Sequence, residues 1–339
     1  MKLRLLDSNP LVIKKGRRKP ALFICRSFSN GVDSLACVVS IQRQIIMSLS
    51  TPSSSLLPAC EALPTQSPDG ARAEVLLQSP GDSARSVLYW LPALGVSARQ
   101  YLPLAEALAH AGVAVAIHEW RGIGSSNRRA GRRENWGYRE LLQDDLPAGL
   151  AAVRRRLPHE RLLLGGHSLG GQLASLYAAL HPEAAAGLAV VASGSPYWRQ
   201  YRHGRWIRLA YAAAPWLANM VGYLPGKRIG FGGNEARGVI DDWARSGRTG
   251  RYAAVGMADD LERCLARSAL PVVALRFADD WLGPERSLSW LLAKMPGAQV
   301  DRQLITSDDM DGRPADHFGW MKTPRPVADR IAAWQARLP

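Results

Sequence analysis

The sequence predicts an α/β fold: a mostly parallel sheet with helices on both faces, interrupted once by a helical insertion. Three observations carry that expectation. Apolar runs of strand length alternate with longer stretches of helical period, the order expected when each strand is followed by a crossover helix. The chain has 339 residues, 47% of them hydrophobic, which is enough for one large core. The stretch from Ser195 to Ala269 breaks the alternation, and a segment of that length rarely stays structureless inside a compact domain.

The elements follow in order. Arg85–Leu91 is predicted as a buried strand, leading through Pro92–Ser97 into a helix from about Ala98 to Ala111. Val113–His118 is the next strand, and a helix near Tyr138–Leu157 follows it. The leucine run Leu162–Gly165 makes a third strand, after which Gln172–Leu180 has helical period. That helix should stop at His181-Pro182, because the residue before a proline avoids the helical region. Leu188–Ala192 is the fourth strand. Beyond the insertion come strand Val272–Phe277, a helix near Arg286–Met295, strand Gln299–Ile305 and a closing helix Val327–Arg337. The expected organisation is an N-terminal extension over 1–55, a core over 56–194 and 270–339, and an insertion over 195–269 that forms a lid.

Between the third strand and its helix stands Gly166-His167-Ser168-Leu169-Gly170, followed by Gly171. This is G-x-S-x-G, the turn that lifts a nucleophilic serine out of a strand-to-helix junction. A serine at positive φ in so tight a turn tolerates only small residues two positions to either side, and Gly166 and Gly170 supply them. The bare pattern arises easily by chance. Its place between a strand-length leucine run and a helix is what makes Ser168 a nucleophile candidate.

Such a serine needs a base and an acid, which in this architecture follow it in the order Asp or Glu, then His. Of seven histidines, only His317 lies far downstream of an acid that itself follows a late strand. Strand Val272–Phe277 runs into Ala278-Asp279-Asp280-Trp281, and Asp280, three residues past the strand end, is the expected acid, with Asp279 as the alternative. No Asp or Glu occurs between Glu183 and Glu235, so the turn after Leu188–Ala192 offers none. An oxyanion needs two backbone N–H donors. Leu169, directly after the nucleophile, supplies one, and Leu94 in the Pro92–Ser97 loop the other, with Ala93 as its rival.

Five motifs in order carry a resemblance: Pro92-Ala93-Leu94-Gly95, Arg121-Gly122-Ile123-Gly124, Gly166 to Gly171, Tyr197-Trp198-Arg199 and His317-Phe318-Gly319. From about Leu76 onward the chain resembles the α/β-hydrolase superfamily, and within it a group of bacterial hydrolases with those motifs. The resemblance implies a cofactor-independent serine hydrolase acting on an ester-like acyl bond of a small molecule. Thioester, amide and acyl-transfer chemistry use the same parts. Non-catalytic members of the fold, which serve as binding modules, usually lack one triad residue. One departure stands out: relatives read D-Y-R-G-I-G where this chain has Glu119-Trp120-Arg121.

The insertion carries Tyr197, Trp198, Tyr201, Trp206, Tyr211, Trp216, Tyr223, Phe231, Trp243 and Tyr252. Most are expected in its own core and a minority as an apolar wall for an acyl group. Arg199, Arg202, Arg205 and Arg208 read as a solvated helix face, an anionic substrate being the alternative. Asp308, Asp309 and Asp311 read as a solvated loop rather than a metal loop, because no ligand follows at the required spacing.

The net charge is +14, half of it from residues 1–46. That stretch has no apolar run long enough to span a membrane and no cleavable leader pattern, so it is expected to be disordered. A true start at Met47 and a basic transit-like arm are its two readings. The arginines around Arg121–Arg133 come with no nucleic-acid motif, so no nucleic-acid partner is expected. Cys25, Cys37, Cys60 and Cys264 form no C-x-x-C pair, and neither G-x-G-x-x-G nor a P-loop lysine is present. No cofactor is implied, and a reducing cytoplasm is the expected location.

Overall fold

Alternating side chains of the central strands are buried on both faces, which is what forces the sheet into the middle of the molecule. The computed structural model describes residues 57–81 and 84–339, and the readings of residues 1–55 lie outside the described residues. In chain order the strands are β1 (Glu61–Gln66), β2 (Arg72–Gln78), β3 (Ser86–Leu91), β4 (Ala114–Ile117), β5 (Arg161–His167) and β6 (Leu188–Val191). The short pair β7 (Leu224–Pro225) and β8 (Asn234–Glu235) forms a separate ribbon, and β9 (Pro271–Phe277) and β10 (Gln299–Ile305) complete the main sheet. The main sheet has the order β1-β2-β4-β3-β5-β6-β9-β10. From β4 to β10 the pairing is parallel, while β1 and β2 are antiparallel.

The α-helices longer than four residues are α1 (Leu102–His110), α2 (Leu146–Arg156), α3 (Leu169–Leu180), α4 (Gly204–Val221), α5 (Arg237–Thr249), α6 (Leu261–Arg267), α7 (Glu285–Leu292) and α8 (Arg325–Gln335). Val87, Tyr89 and Leu91 face the layer that contains α2, α3, α6 and α7. Leu88 and Trp90 face α1 and α8 on the other side.

Three features depart from the expected elements: the β7–β8 ribbon inside an insertion expected to be helical, and two in the core. β1 and β2 extend the sheet by an antiparallel edge that the apolar pattern does not announce. β1 buries only Leu63 and carries Pro64, as an edge strand can, so neither alternation nor propensity marks it. The helix expected over Tyr138–Leu157 is broken: one turn at Tyr138–Glu140 passes through a π-helical turn at Leu141–Asp145 before α2. Pro147 has no N–H to extend the ladder, and the wider turn accommodates the loss. It also aims Asp145 at Arg121, whose guanidinium meets the two carboxylate oxygens at 2.5 and 2.8 Å. Buried Ser67 donates to Asp145, and the exposed Asp69 at the β1–β2 turn pairs with Arg121 from the solvent side.

The site follows from connectivity. The chain passes from β3 outward to β4 and then returns to β5 on the other side of β3, so Leu91 pairs with Gly166. Loops leaving two adjacent parallel strands in opposite directions leave a crevice at their carboxyl ends.

Candidate active site

Ser168 has φ 53° and ψ −120°, a backbone state that L-residues avoid. Such a residue costs on the order of 1–3 kcal/mol and persists only where its surroundings dictate it. Here its N–H donates to the Val191 carbonyl at 3.1 Å, and its carbonyl accepts the Ser193 hydroxyl at 2.6 Å. The neighbouring glycines are required by space: a Cβ on Gly166 would lie 2.4 Å from the Gly170 carbonyl carbon, and one on Gly170 would lie 2.0 Å from the Leu91 oxygen.

The structure brings together all three residues singled out by order in the sequence. His317 Nε2 lies 2.9 Å from Ser168 Oγ, and His317 Nδ1 lies 2.8 Å from Asp280 Oδ2. Asp280 Oδ1 accepts the N–H groups of Leu282 and Gly283, each at 2.8 Å. The alternative acid, Asp279, points elsewhere. Its carboxylate accepts the Ala315 N–H, and its own N–H donates to the Ala315 carbonyl, both at 3.0 Å. Asp279 thus clamps the loop that carries His317. Asp316, accepting the N–H groups of Phe318 and Gly319, shapes the same loop from within.

The Pro92–Ser97 loop is held at several points. Ala93 N–H donates to the Tyr101 hydroxyl at 2.9 Å, which takes it out of contention as an oxyanion donor. The N–H groups of Leu94 and Leu169 have no acceptor among the described residues, and both residues border the cavity that contains Ser168. Trp120 Nε1–H donates to the Pro92 carbonyl at 2.9 Å, and Glu119 accepts the Ala98 N–H at 3.0 Å. The two residues that depart from the relatives' Asp-Tyr therefore hold the start of this loop and the first residue past its end. Gly95, at φ +76°, lies so close to the β7–β8 ribbon that a Cβ would sit 2.0 Å from Gly233 N.

Two supporting residues escaped sequence reasoning. The Tyr101 hydroxyl lies 2.8 Å from Nδ1 of His167, whose ring packs 4.8 Å, centroid to centroid, from His317. Burial first, and the nearby His317 second, hold His167 well below the usual histidine range, so it stays neutral under the site. A tyrosine in an apolar helix and the variable residue of a G-x-S-x-G motif carry no pattern that announces such a contact.

A cavity of about 450 Å³ opens over Ser168. Of the ten insertion aromatics, Tyr201, Tyr211, Phe231 and Trp243 line it, joined by Trp281 and Phe318 from the core loops. Trp243 is the hub of that wall, with ring centroids 4.7 Å from Tyr211 and 5.4 Å from Phe231. Among the described residues none that lines it is acidic, and Arg199, Arg202, Arg205 and Arg208 all lie off its wall. A larger recess of about 860 Å³ lies toward Gly122 and Lys322; it shares Gly95's neighbourhood but excludes Ser168. Among the described residues no cluster of His, Cys, Asp or Glu could hold a metal ion. Asp309 instead accepts from Thr306 and pairs with Arg330 at 2.9 Å.

Beside the Pro92–Ser97 loop, Glu235 accepts the Gly233 N–H at 2.9 Å. Burial pushes its carboxyl up from 4.5 to about 7, against the opposing pull of that N–H and of Lys227. A raised acid favours the folded state while protonated, so this contribution is whole below pH 4.5 and is lost as pH rises through 7. Its size is on the order of 3 kcal/mol. Glu235→Gln keeps an acceptor for Gly233 and removes the titration. Thermal midpoints of the variant and the wild type should be close at pH 4.5 and diverge in the variant's favour by pH 8; parallel pH profiles would refute the assignment.

The sheet order, with the elbow at its switch point, is the α/β-hydrolase fold. Over residues 82–307 the chain matches the family described as Serine aminopeptidase, S33, and it belongs to that family. The matched span includes Ser168 and Asp280 and ends before His317. Among solved structures, the esterase domain of a Rhodothermus marinus protein is similar at 16% identity and TM-score 0.55, over 83% of this chain and 99% of that one. An esterase of Pyrococcus furiosus is similar at 14% identity and TM-score 0.52, over 83% and 93%. A monoacylglycerol lipase of Paleococcus ferrophilus is similar at 16% identity and TM-score 0.51, over 82% and 100%. At these identities the likeness is one of fold. No curated protein matches the sequence.

Proposed function

We propose that the protein hydrolyses carboxylic esters with an apolar acyl group, through an acyl-enzyme on Ser168. The observation that carries this reading is the hydrogen-bonded chain Asp280–His317–Ser168 opening onto a largely apolar cavity with no acid among its described lining residues. His317 Nε2 takes the hydroxyl proton as Ser168 Oγ bonds to the ester carbonyl carbon, while Asp280 holds the Nδ1 proton and steadies the imidazolium that forms. The N–H groups of Leu94 and Leu169 stabilise the carbonyl oxygen as it gains charge. His317 then returns the proton to the departing alkoxide, and the alcohol leaves. Water, deprotonated by the same imidazole, attacks the acyl-enzyme and frees the acid.

That no described residue of the cavity wall is a carboxylate favours an uncharged acyl group over a peptide with a free α-amino group, which would want an acid to meet its charge. Each methylene buried against the Tyr211–Phe231–Trp243 wall is worth roughly 0.8 kcal/mol. On p-nitrophenyl esters of increasing acyl length, kcat/KM should therefore rise about threefold to fourfold per carbon until the cavity is full. The same protein should be inactivated stoichiometrically by an alkyl phosphonate that labels Ser168. A profile falling from acetate onward would reject the apolar acyl site, and labelling elsewhere would reject the nucleophile.

A further inference from the structure

Helix α4 presents its apolar side to solvent. Its buried residues, Gly204, Tyr211 and Ala218, recur every seventh position, and Ile207, Ala210 and Tyr211 line the cavity over Ser168. At about 100° per residue, Trp206, Leu209, Ala213, Trp216 and Met220 fall together on the opposite side. Trp206 is 73% exposed, Leu209 59%, Trp216 65% and Met220 58%. A contiguous row of large apolar side chains in water marks a surface with an occupant.

Charge indicates which occupant. Between Glu183 and Glu235 there is no acid, whereas Arg199, Arg202, Arg205, Arg208, Lys227 and Arg228 all fall in that stretch. None of these six cations makes an ion pair among the described residues; Arg199 and Arg208 lie instead over the ring of Trp198. Two copies meeting through this face would set the arginines of one α4 against those of the other, with no acid on α4 to offset them. An anionic surface offers both an apolar interior for the row and negative charge for the cations, and interfacial helices have this composition, tryptophan and leucine beside arginine. No described helix is long and apolar enough to cross a membrane, so α4 would lie along the surface.

We propose that the outward face of α4 docks on an anionic lipid surface, with Trp206, Leu209, Trp216 and Met220 entering the headgroup boundary and the arginines meeting lipid phosphates. Docking sets the other side of the same helix, and with it the cavity, within a helix diameter of the lipid. That a lipid ester enters there rests on the proposed function; the docking does not.

Flotation of the full chain with phosphatidylcholine vesicles, alone or mixed with phosphatidylglycerol, reads binding without any catalysis. The wild type should float with the mixed vesicles and be released as salt rises. Ser168→Ala should float equally well, which separates this test from that of the hydrolase. Trp206→Gln and Trp216→Gln should each weaken binding about tenfold, and Arg205→Gln roughly fivefold, with thermal midpoints unchanged because these side chains are exposed. The basic N-terminal extension supplies vesicle attraction of its own, so the double tryptophan variant is decisive. If it floats as well as the wild type, or if the wild type does not float, the proposal fails. A concentration-dependent dimer dissolved by the same double variant would assign the face to a second copy and also overturn it.

Discussion

Ser168→Ala should lower kcat for ester hydrolysis by on the order of 10⁶, with no change in fold. The size follows from what remains. The N–H groups of Leu94 and Leu169 and the apolar wall would still bind and polarise a carbonyl, and such a site without its nucleophile retains about 10³–10⁴ over water. The fold is spared because alanine carries the same Cβ as serine, so the strain at φ 53° is unaltered and the Val191 and Ser193 contacts use only the backbone of residue 168. His317→Ala should cost a similar factor. The double variant should be scarcely worse than either single one, because nucleophile and base act as one unit. Steady-state rates on a p-nitrophenyl ester check this. Additive losses would mean that His317 and Ser168 serve different steps.

The parts of the site legible in the sequence are those where steric need leaves a mark on residue type. Gly166 and Gly170 are glycines because a Cβ would collide with backbone, and a collision of that kind is encoded by composition. Strands β3, β4, β5, β6 and β9 are legible because a parallel sheet covered on both faces needs unbroken apolar runs. β1 is illegible for the converse reason: at an exposed edge, nothing requires Glu61, Pro64 or Thr65 to be apolar. The π turn before α2 depends on how Pro147 and the Asp145–Arg121 pair accommodate each other, which is a tertiary matter.

Backbone donors leave the least trace of all. The choice between Ala93 and Leu94 turns on where the Tyr101 hydroxyl points, and no local pattern reports that. The Glu119-Trp120 departure was visible as a difference, but its consequence appears only in three dimensions. The longer acid reaches the Ala98 N–H, and an indole N–H, which tyrosine lacks, reaches the Pro92 carbonyl. The ten insertion aromatics were likewise visible as a set. Their division into four that line the cavity and six that do not depends on the pose of α4 and α5.

Asp280→Asn should lower kcat by on the order of 10⁴, whereas Asp279→Asn should cost far less, and the reason lies in which atoms can accept. Asp280 Oδ1 receives two backbone N–H groups, from Leu282 and Gly283, and Oδ2 receives the Nδ1 proton of His317. An asparagine there must keep its carbonyl oxygen on the two backbone donors, since an NH₂ group facing them would leave three donors without an acceptor. The amide NH₂ then faces His317 Nδ1 and selects the tautomer whose proton sits on Nε2, the atom 2.9 Å from Ser168 Oγ. A protonated Nε2 cannot take the serine proton. Packing is nearly unchanged, so kcat should fall while KM and the thermal midpoint hold. At Asp279 the demand is different: the side chain has only to accept the Ala315 N–H, and an asparagine oxygen does that as well. Asp279→Ala removes the acceptor, loosens the loop that carries His317, and should lower the midpoint along with the rate. If Asp279→Asn instead proved the more damaging amide, the acid would have to be reassigned to the residue that clamps the loop.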